Sequence, residues 1–368
     1  MRLIVRSAAL LSVGFVLVAV VLGCSSSSGR QVAGVDFIAK NAASVLHGRR
    51  LAFSFGTSDI RDIWVLAHGR VVQVSKKMRV ATGGSCYGGP YGSGSGPCYE
   101  IAEPFSLSPD GEQLAFFLQD TTVAADTTPP ALIVSRSDGS QAHKVAASLG
   151  ICVLCSFSTP SWDRNSRSFV IAVEQFVGTT VDSITKIYRI AIRSGKATML
   201  SPPGTDSYSE DEPAISPDGK EIAFLRNAAR GPSSSVTSPP AFVYVMRASG
   251  RGRRRLPLPR RAYSSASYWG HNALWWCSST SLCAGSSANT YRLDLRTGRV
   301  THLRHLAEAS YSGLSADGTF AINRRKTRHG WEVAVGPVNA AGVARFAPIL
   351  AAANAKENPF VEFSVSGP

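Results

Sequence analysis

The sequence predicts an all-β chain folded as a six-bladed β-propeller of four-stranded antiparallel blades, or seven-bladed if its last segment starts a blade of its own. Three observations carry this expectation. A Ser-Pro-Asp-Gly turn recurs at blade-sized spacing, and a short apolar run rich in strand formers follows each copy. The composition excludes the alternatives. At 368 residues, 44% hydrophobic and 17% charged, the chain can bury a large core and is not disordered, and its 33 glycines keep no triplet period. Scarce charge and recurring Gly and Pro exclude a coiled coil.

The copies run along the whole chain. Ser108-Pro109-Asp110-Gly111 precedes Leu114 to Leu118, Ser216-Pro217-Asp218-Gly219 precedes Ile222 to Leu225, and Ser315-Ala316-Asp317-Gly318 precedes Phe320 to Ile322. Degraded copies are Trp162 to Asn165 before Phe169 to Val173, Trp269 to Asn272 before Leu274 to Trp276, and Leu46-His47-Gly48 before Leu51 to Phe55. The turn positions Asp110, Asn165, Asp218, Asn272 and Asp317 stand 55, 53, 54 and 45 residues apart.

Each copy has the same local physics. Proline presets φ, aspartate bonds its own following backbone, and glycine supplies φ > 0, so a first strand turns tightly into a second. A third strand follows, as in Asp62 to Leu66, Ile187 to Ile192 and Phe242 to Met246. Glycine turns at 68–69, 138–139, 194–195, 249–250 and 297–298 then lead to fourth strands such as Val71 to Val74 and Val300 to Leu303. Four hairpin-connected strands repeated about six times are a propeller's signature. Phe360 to Val365 is one more strand, which either closes the ring on the first blade or begins a seventh.

These residues resemble the TolB-type, WD40-like propeller repeat, an aromatic-x-Ser-Pro-Asp-Gly unit followed by Ile-Ala-Phe and Ile-Tyr-Val-Met segments. The copies near 105–147 and 213–258 match closely, the other four loosely, and the resemblance covers roughly 40–350. It implies the fold. Function follows from it weakly, because such repeats serve envelope scaffolds, peptidase accessory domains and lyases alike.

The amino terminus reads as an address. Arg2 and Arg6 precede an apolar stretch from Ala8 to Leu22, which is short for a bilayer span and suited to a signal-peptide core. Val21-Leu22-Gly23-Cys24 resembles a bacterial lipobox, and Ser25 to Gly29 reads as a flexible tether. The expected division is a lipoprotein signal peptide at 1–23, a Ser/Gly-rich tether at 24–40 and the propeller at 41–368. Cys24 is then the lipidated residue, and the body is extracytoplasmic, held at the cell membrane; an uncleaved anchor helix is the alternative. Removing 1–23 takes two of the 39 cations and none of the 25 acids, so the net charge falls from +14 to +12.

Six further cysteines form local pairs: Cys86 with Cys98, Cys152 with Cys155, and Cys277 with Cys283. In an oxidising compartment these read as disulfides. Cys152 and Cys155 also suit a redox dithiol or half a zinc site, but neither the strand-to-helix context nor a second ligand pair is visible.

No catalytic motif emerges. The Gly92 to Gly96 run lacks the spacing of a Gly-x-Ser-x-Gly elbow. Propeller lyases place histidines around the channel, whereas His302 and His305 fall on an outer strand and His47, His68 and His271 in turns. Asp110, Asp218 and Asp317 read as turn formers. No metal site and no cofactor are expected. Arg251, Arg253, Arg254, Arg255, Arg260 and Arg261 crowd together, and Arg324, Arg325, Lys326 and Arg328 form a second group. Arg253, Arg254 and Arg255 are the candidate anion-binding residues; the competing reading is a solvated hairpin in an arginine-rich chain.

In a four-stranded blade, first-to-second and third-to-fourth turns emerge on one face of the disc. The long segments 76–103, 119–130, 148–159, 202–212, 227–240 and 277–289 belong to the other connections, on the opposite face. They hold all three cysteine pairs and the candidate ligand residues Tyr87, Tyr91 and Tyr99. The expectation is a binding or scaffolding module of the cell envelope that meets an envelope protein or glycan and no nucleic acid. An enzyme acting on envelope sugars at the channel mouth is the alternative.

Overall fold

The structure, a computed structural model, describes residues 36–37, 44–56, 61–74, 99–120, 130–146, 149, 157–176, 183–202, 208–228, 242–256, 267–270, 273–277, 290–294, 297, 299–302, 311–315, 319–339, 342–343, 346–353 and 360–366. These form six antiparallel sheets, each a propeller blade. Blade 1 runs outward as β26 (Phe360–Val365), β2 (Leu51–Gly56), β3 (Arg61–Ala67) and β4 (Arg70–Gln73). Blade 2 is β5 (Tyr99–Leu107), β6 (Gln113–Asp120), β7 (Ala131–Arg136) and β8 (His143–Lys144). Blade 3 is β9 (Ser161–Trp162), β10 (Ser168–Phe176), β11 (Ser183–Ala191) and β12 (Ala197–Met199).

Blade 4 is β13 (Tyr208–Ile215), β14 (Glu221–Ala228), β15 (Phe242–Arg247) and β16 (Arg254–Arg255). Blade 5 is β17 (Ser267–Gly270), β18 (Ala273–Cys277), β19 (Thr290–Asp294) and β20 (Val300–His302). Blade 6 is β21 (Tyr311–Leu314), β22 (Phe320–Thr327), β23 (Gly330–Asn339) and β25 (Ala347–Ala353), with β24 (Gly342–Val343) on β23 and β1 (Asp36–Phe37) on the outer edge of β25. The last segment therefore closes the ring as the innermost strand of blade 1. Asp36 pairs with Ala351 and Phe37 with Leu350, within the stretch read as tether.

The core lies between blades. Second strands are apolar on both faces because a neighbouring blade covers each, so alternate residues feed different clusters. Leu114 and Phe116 pack toward blade 1 with Ala52, Ile63 and Val65, while Ala115 and Phe117 pack toward blade 3 with Phe169 and Ile171. Val170 joins Ile222 and Phe224 of blade 4, and Leu51 and Phe53 join Phe320 and Ile322 of blade 6.

The turn serine is a staple. Ser108 N donates to Gln113 O and Ser108 Oγ accepts from Gln113 N, both at 2.9 Å. Ser216 with Glu221 and Ser315 with Phe320 repeat the pair, and Asp163 with Ser168 replaces it in blade 3. Asp110 and Asp218, two residues on, accept the serine hydroxyl at 2.5 Å and 2.6 Å. For Asp218 the Ser216 hydroxyl and the Lys220 amide hold the carboxyl below its usual value.

Two segments read as loop are strand over five residues each. Residues 99–103 and 208–212 belong to the inner strands β5 and β13. A bulge after Ala102 and another after Asp211 absorb Pro104 and Pro213, which lets pairing continue past a residue that cannot donate.

Candidate functional site

The innermost strands β26, β5, β9, β13, β17 and β21 are the edges that face the propeller axis. On β13 the run Ser209-Glu210-Asp211-Glu212 puts three acids in succession on an inner strand of a chain carrying +14. Glu210 is 1% exposed and held inside the fold. Ser201 Oγ donates to its Oε2 at 2.8 Å, Arg253 Nε to its Oε1 at 3.1 Å, and Arg226 Nε lies 3.9 Å from Oε1.

Asp211 and Glu212 sit at the bulge. The Glu212 amide donates to Asp211 Oδ1 at 2.8 Å, and Glu212 adopts φ +49°, a strained conformation for a side chain of its type. Burial pushes the Glu212 carboxyl well above its usual value, and the Asp211 charge adds to this. Burial also raises Asp211, opposed by the Glu212 amide and assisted by Glu174. Both side chains keep partial contact with solvent, yet protein surrounds them on most sides, which is why desolvation dominates. Two neighbouring carboxyls held toward the neutral form are the kind of group from which a general acid is drawn. The sequence signal was present, three successive acids just before a turn serine, and it was missed because 202–212 read as a connection.

The arginine cluster divides. Arg253 is committed internally: besides Glu210 it donates to Leu200 O at 2.7 Å and to Gly250 O. Arg254 and Arg255 are exposed on β16, Arg254 3.5 Å from Glu221 Oε1 and Arg255 over the Phe242 ring at 3.6 Å. In the second group Arg325 pairs with Glu332 at 2.7 Å across β22 and β23.

Among the histidines, His47 and His68 occupy turns with φ +49°, and His302 ends the outer strand β20. Cys24, Cys86, Cys98, Cys152, Cys155, Cys283, Tyr87, Tyr91, His271 and His305 lie outside the described residues. Tyr99 opens β5 and Cys277 closes β18, both where long connections begin or end. Among the described residues no group of three or more His, Cys, Asp or Glu is disposed to hold a metal, and no helix is long and apolar enough to cross a membrane.

No protein-family model and no curated protein matches the chain. Solved structures do. The tricorn protease is 11% identical over 82% of this chain with a TM-score of 0.52, and the match spans 30% of that protein's length. TolB from Acinetobacter baumannii is 14% identical over 86% of this chain and 82% of its own, with a TM-score of 0.47. Oligogalacturonate lyase from Vibrio parahaemolyticus is 12% identical over 83% and 75%, with a TM-score of 0.46. At these identities the likeness is one of fold, the propeller that the repeats imply.

Proposed function

We propose that the protein is an extracytoplasmic binding or scaffolding module, lipid-anchored through Cys24, that meets an envelope protein or glycan on one face of its disc. One observation carries the reading. The connections β4 to β5, β6 to β7, β8 to β9, β12 to β13, β14 to β15 and β18 to β19 are long, and strand order sends all of them to the same face. First-to-second turns such as 108–112 and 216–220 stay tight on the other. Long connections on a rigid scaffold are where recognition concentrates. In this reading the three cysteine pairs staple those connections as disulfides, and Tyr87, Tyr91 and Tyr99 offer amphipathic contact surface.

Shortening 86–98 to a glycine turn should abolish capture of envelope partners, while loading the opposite-face turns with charge should leave it intact. If only the opposite-face variant loses its partner, the assignment is wrong. Mass spectrometry that finds Cys24 unmodified removes the anchor from the proposal. The raised carboxyls of Asp211 and Glu212 favour a second reading, an enzyme cleaving envelope sugars at the channel mouth. Release of reducing ends from purified envelope glycan that disappears in Glu212→Gln would put that reading first.

A further inference from the structure

On the short-turn face a side chain bridges blade 1 to blade 2 and another bridges blade 2 to blade 3, whereas the equivalent residue of blade 3 makes no such bridge to blade 4 among the described residues. Arg50, the last residue before β2, donates to Gly111 O at 2.8 Å and Ser137 Oγ at 2.6 Å and pairs with Glu112, all on blade 2. Gln113, the equivalent residue of blade 2, donates through Nε2 to Ser166 O of blade 3 at 3.2 Å. Gly111 and Ser166 hold the same turn position, at φ +70° and +55°. The next equivalent residue is Ser168, which faces Gly219, φ +73°, on blade 4. Ser168 is too short to cross and spends its hydroxyl on Asp163 Oδ2 at 2.8 Å.

The space so left is a cleft of about 390 Å³. Asp163, Asn165 and Ser168 line it from blade 3 and Asp218 and Gly219 from blade 4, with Arg164 exposed at its rim. Arg189 of β11 also lines it, and its Nε is shut off from water without an acceptor among the described residues. Asp163 is the carboxylate whose charge favours Arg189, but its oxygens already accept from Arg167 N at 2.9 Å and from Ser168. The Arg189 guanidinium therefore borders the cleft as a cation that no carboxylate bonds among the described residues.

We propose that this cleft binds a small carboxylate bearing a hydroxyl or amine beside it. The carboxylate accepts from Arg189 and Arg164, and the adjacent donor meets Asp218. Two arginines against two aspartates leave the cleft near neutral, which disfavours a dianion such as phosphate and suits a monoanion with its own donor. Its volume falls in the small-ligand range. The site lies on the face opposite the long connections, so it stands or falls independently of the partner surface proposed above.

Calorimetry on the full chain tests this with L-lactate and L-alanine as probes and inorganic phosphate and glucose as controls. Binding of lactate or alanine is expected, phosphate and glucose binding more weakly by roughly tenfold or more, and the better of the two acids tells hydroxyl from amine. Arg189→Met should weaken that binding by roughly tenfold or more, the loss of a charge-assisted hydrogen bond, and Arg254→Ala should not. Ser168→Gln restores the bridge that Gln113 makes, so it should abolish binding while raising Tm. The proposal is overturned if neither acid binds at millimolar concentration, or if the bound acid keeps its affinity in Ser168→Gln. Should Arg189→Met fail to fold, Ser168→Gln decides alone.

Discussion

Arg253 and Arg255 are two residues apart and do opposite jobs. Arg253 neutralises Glu210, which is 1% exposed, and caps the carbonyls of Leu200 and Gly250, tying β13 and the turn after β15 to the end of β12. Arg255 lies over Phe242 at the surface. Removing one member of a buried pair leaves an uncompensated charge, so Arg253→Ala should cost about 3 kcal/mol and Arg255→Ala about 0.5 kcal/mol. Urea unfolding of both variants checks this, and equal costs would place Arg253 with the solvated cluster. Glu212 makes a prediction of opposite sign. Its carboxyl titrates at the ordinary value in the unfolded chain and higher in the fold, so the native state binds more protons between the two. Stability is therefore full in acid and declines as pH rises through that window. Glu212→Gln removes the decline: near neutral pH the variant should be the more stable, and at about pH 4 the difference should vanish. A variant less stable at neutral pH would mean the carboxylate is satisfied in the fold.

At the scale of the element, the first-to-second turn is one device with unequal tolerance. Gly111 and Gly219 both need positive φ, at +70° and +73°. A Cβ on Gly111 would stand 3.1 Å from Arg50 Cδ and 3.2 Å from Ser366, whereas one on Gly219 meets nothing within 4 Å. Gly219→Ala should therefore cost about 1 kcal/mol of conformational strain, and Gly111→Ala measurably more because ring closure must give way as well. Equal shifts in Tm would show that the Arg50 and Ser366 contacts yield freely. These turns, their following strands and the closing strand were legible in the sequence because each is a local pattern of proline, aspartate, glycine and alternating apolar residues. The cleft between blades 3 and 4 was not. Ser168 is informative only beside Arg50 and Gln113, which strand pairing places in equivalent positions. Nor does spacing show that Arg253 turns inward while Arg254 and Arg255 turn out. The three acids at 210–212 hid for a third reason, since a bulge carries β13 through a proline that reads as a strand end.

Closure of the whole ring rests on the last seven described residues. Ser366 N donates to Arg50 O at 3.0 Å and Ser366 Oγ accepts from Arg50 N at 2.9 Å, the bonds that Ser108 makes with Gln113. Ser366 is thus the turn serine of blade 1, and the turn itself is where the chain is open. Around it Arg50 reaches blade 2, while Arg49 donates to Thr319 Oγ1 at 3.1 Å and lies over the Phe320 ring at 4.3 Å on blade 6. Ser364 Oγ also accepts from Leu107 N at 2.9 Å, joining the inner strands of blades 1 and 2 as Ser161 Oγ joins blades 3 and 4 through Ile215 N. Ending the chain at Pro359 would strip β26 from β2 and remove Phe363 and Val365 from the core shared with blade 6. The expected result is loss of the single cooperative unfolding transition, because both neighbours of blade 1 lose their packing together. The complementary experiment joins Ser366 to Arg49 through Pro-Asp-Gly and opens the chain within 76–98. That permutant recreates the turn of blade 2 covalently and should melt cooperatively, with a Tm lowered by the loss of Leu46, which is 2% exposed in the native core, and of β1 from the edge of β25. A truncated chain that still melts in one sharp transition, or a permutant that does not fold, would mean that the ring is held by contacts other than the strand and serine described here.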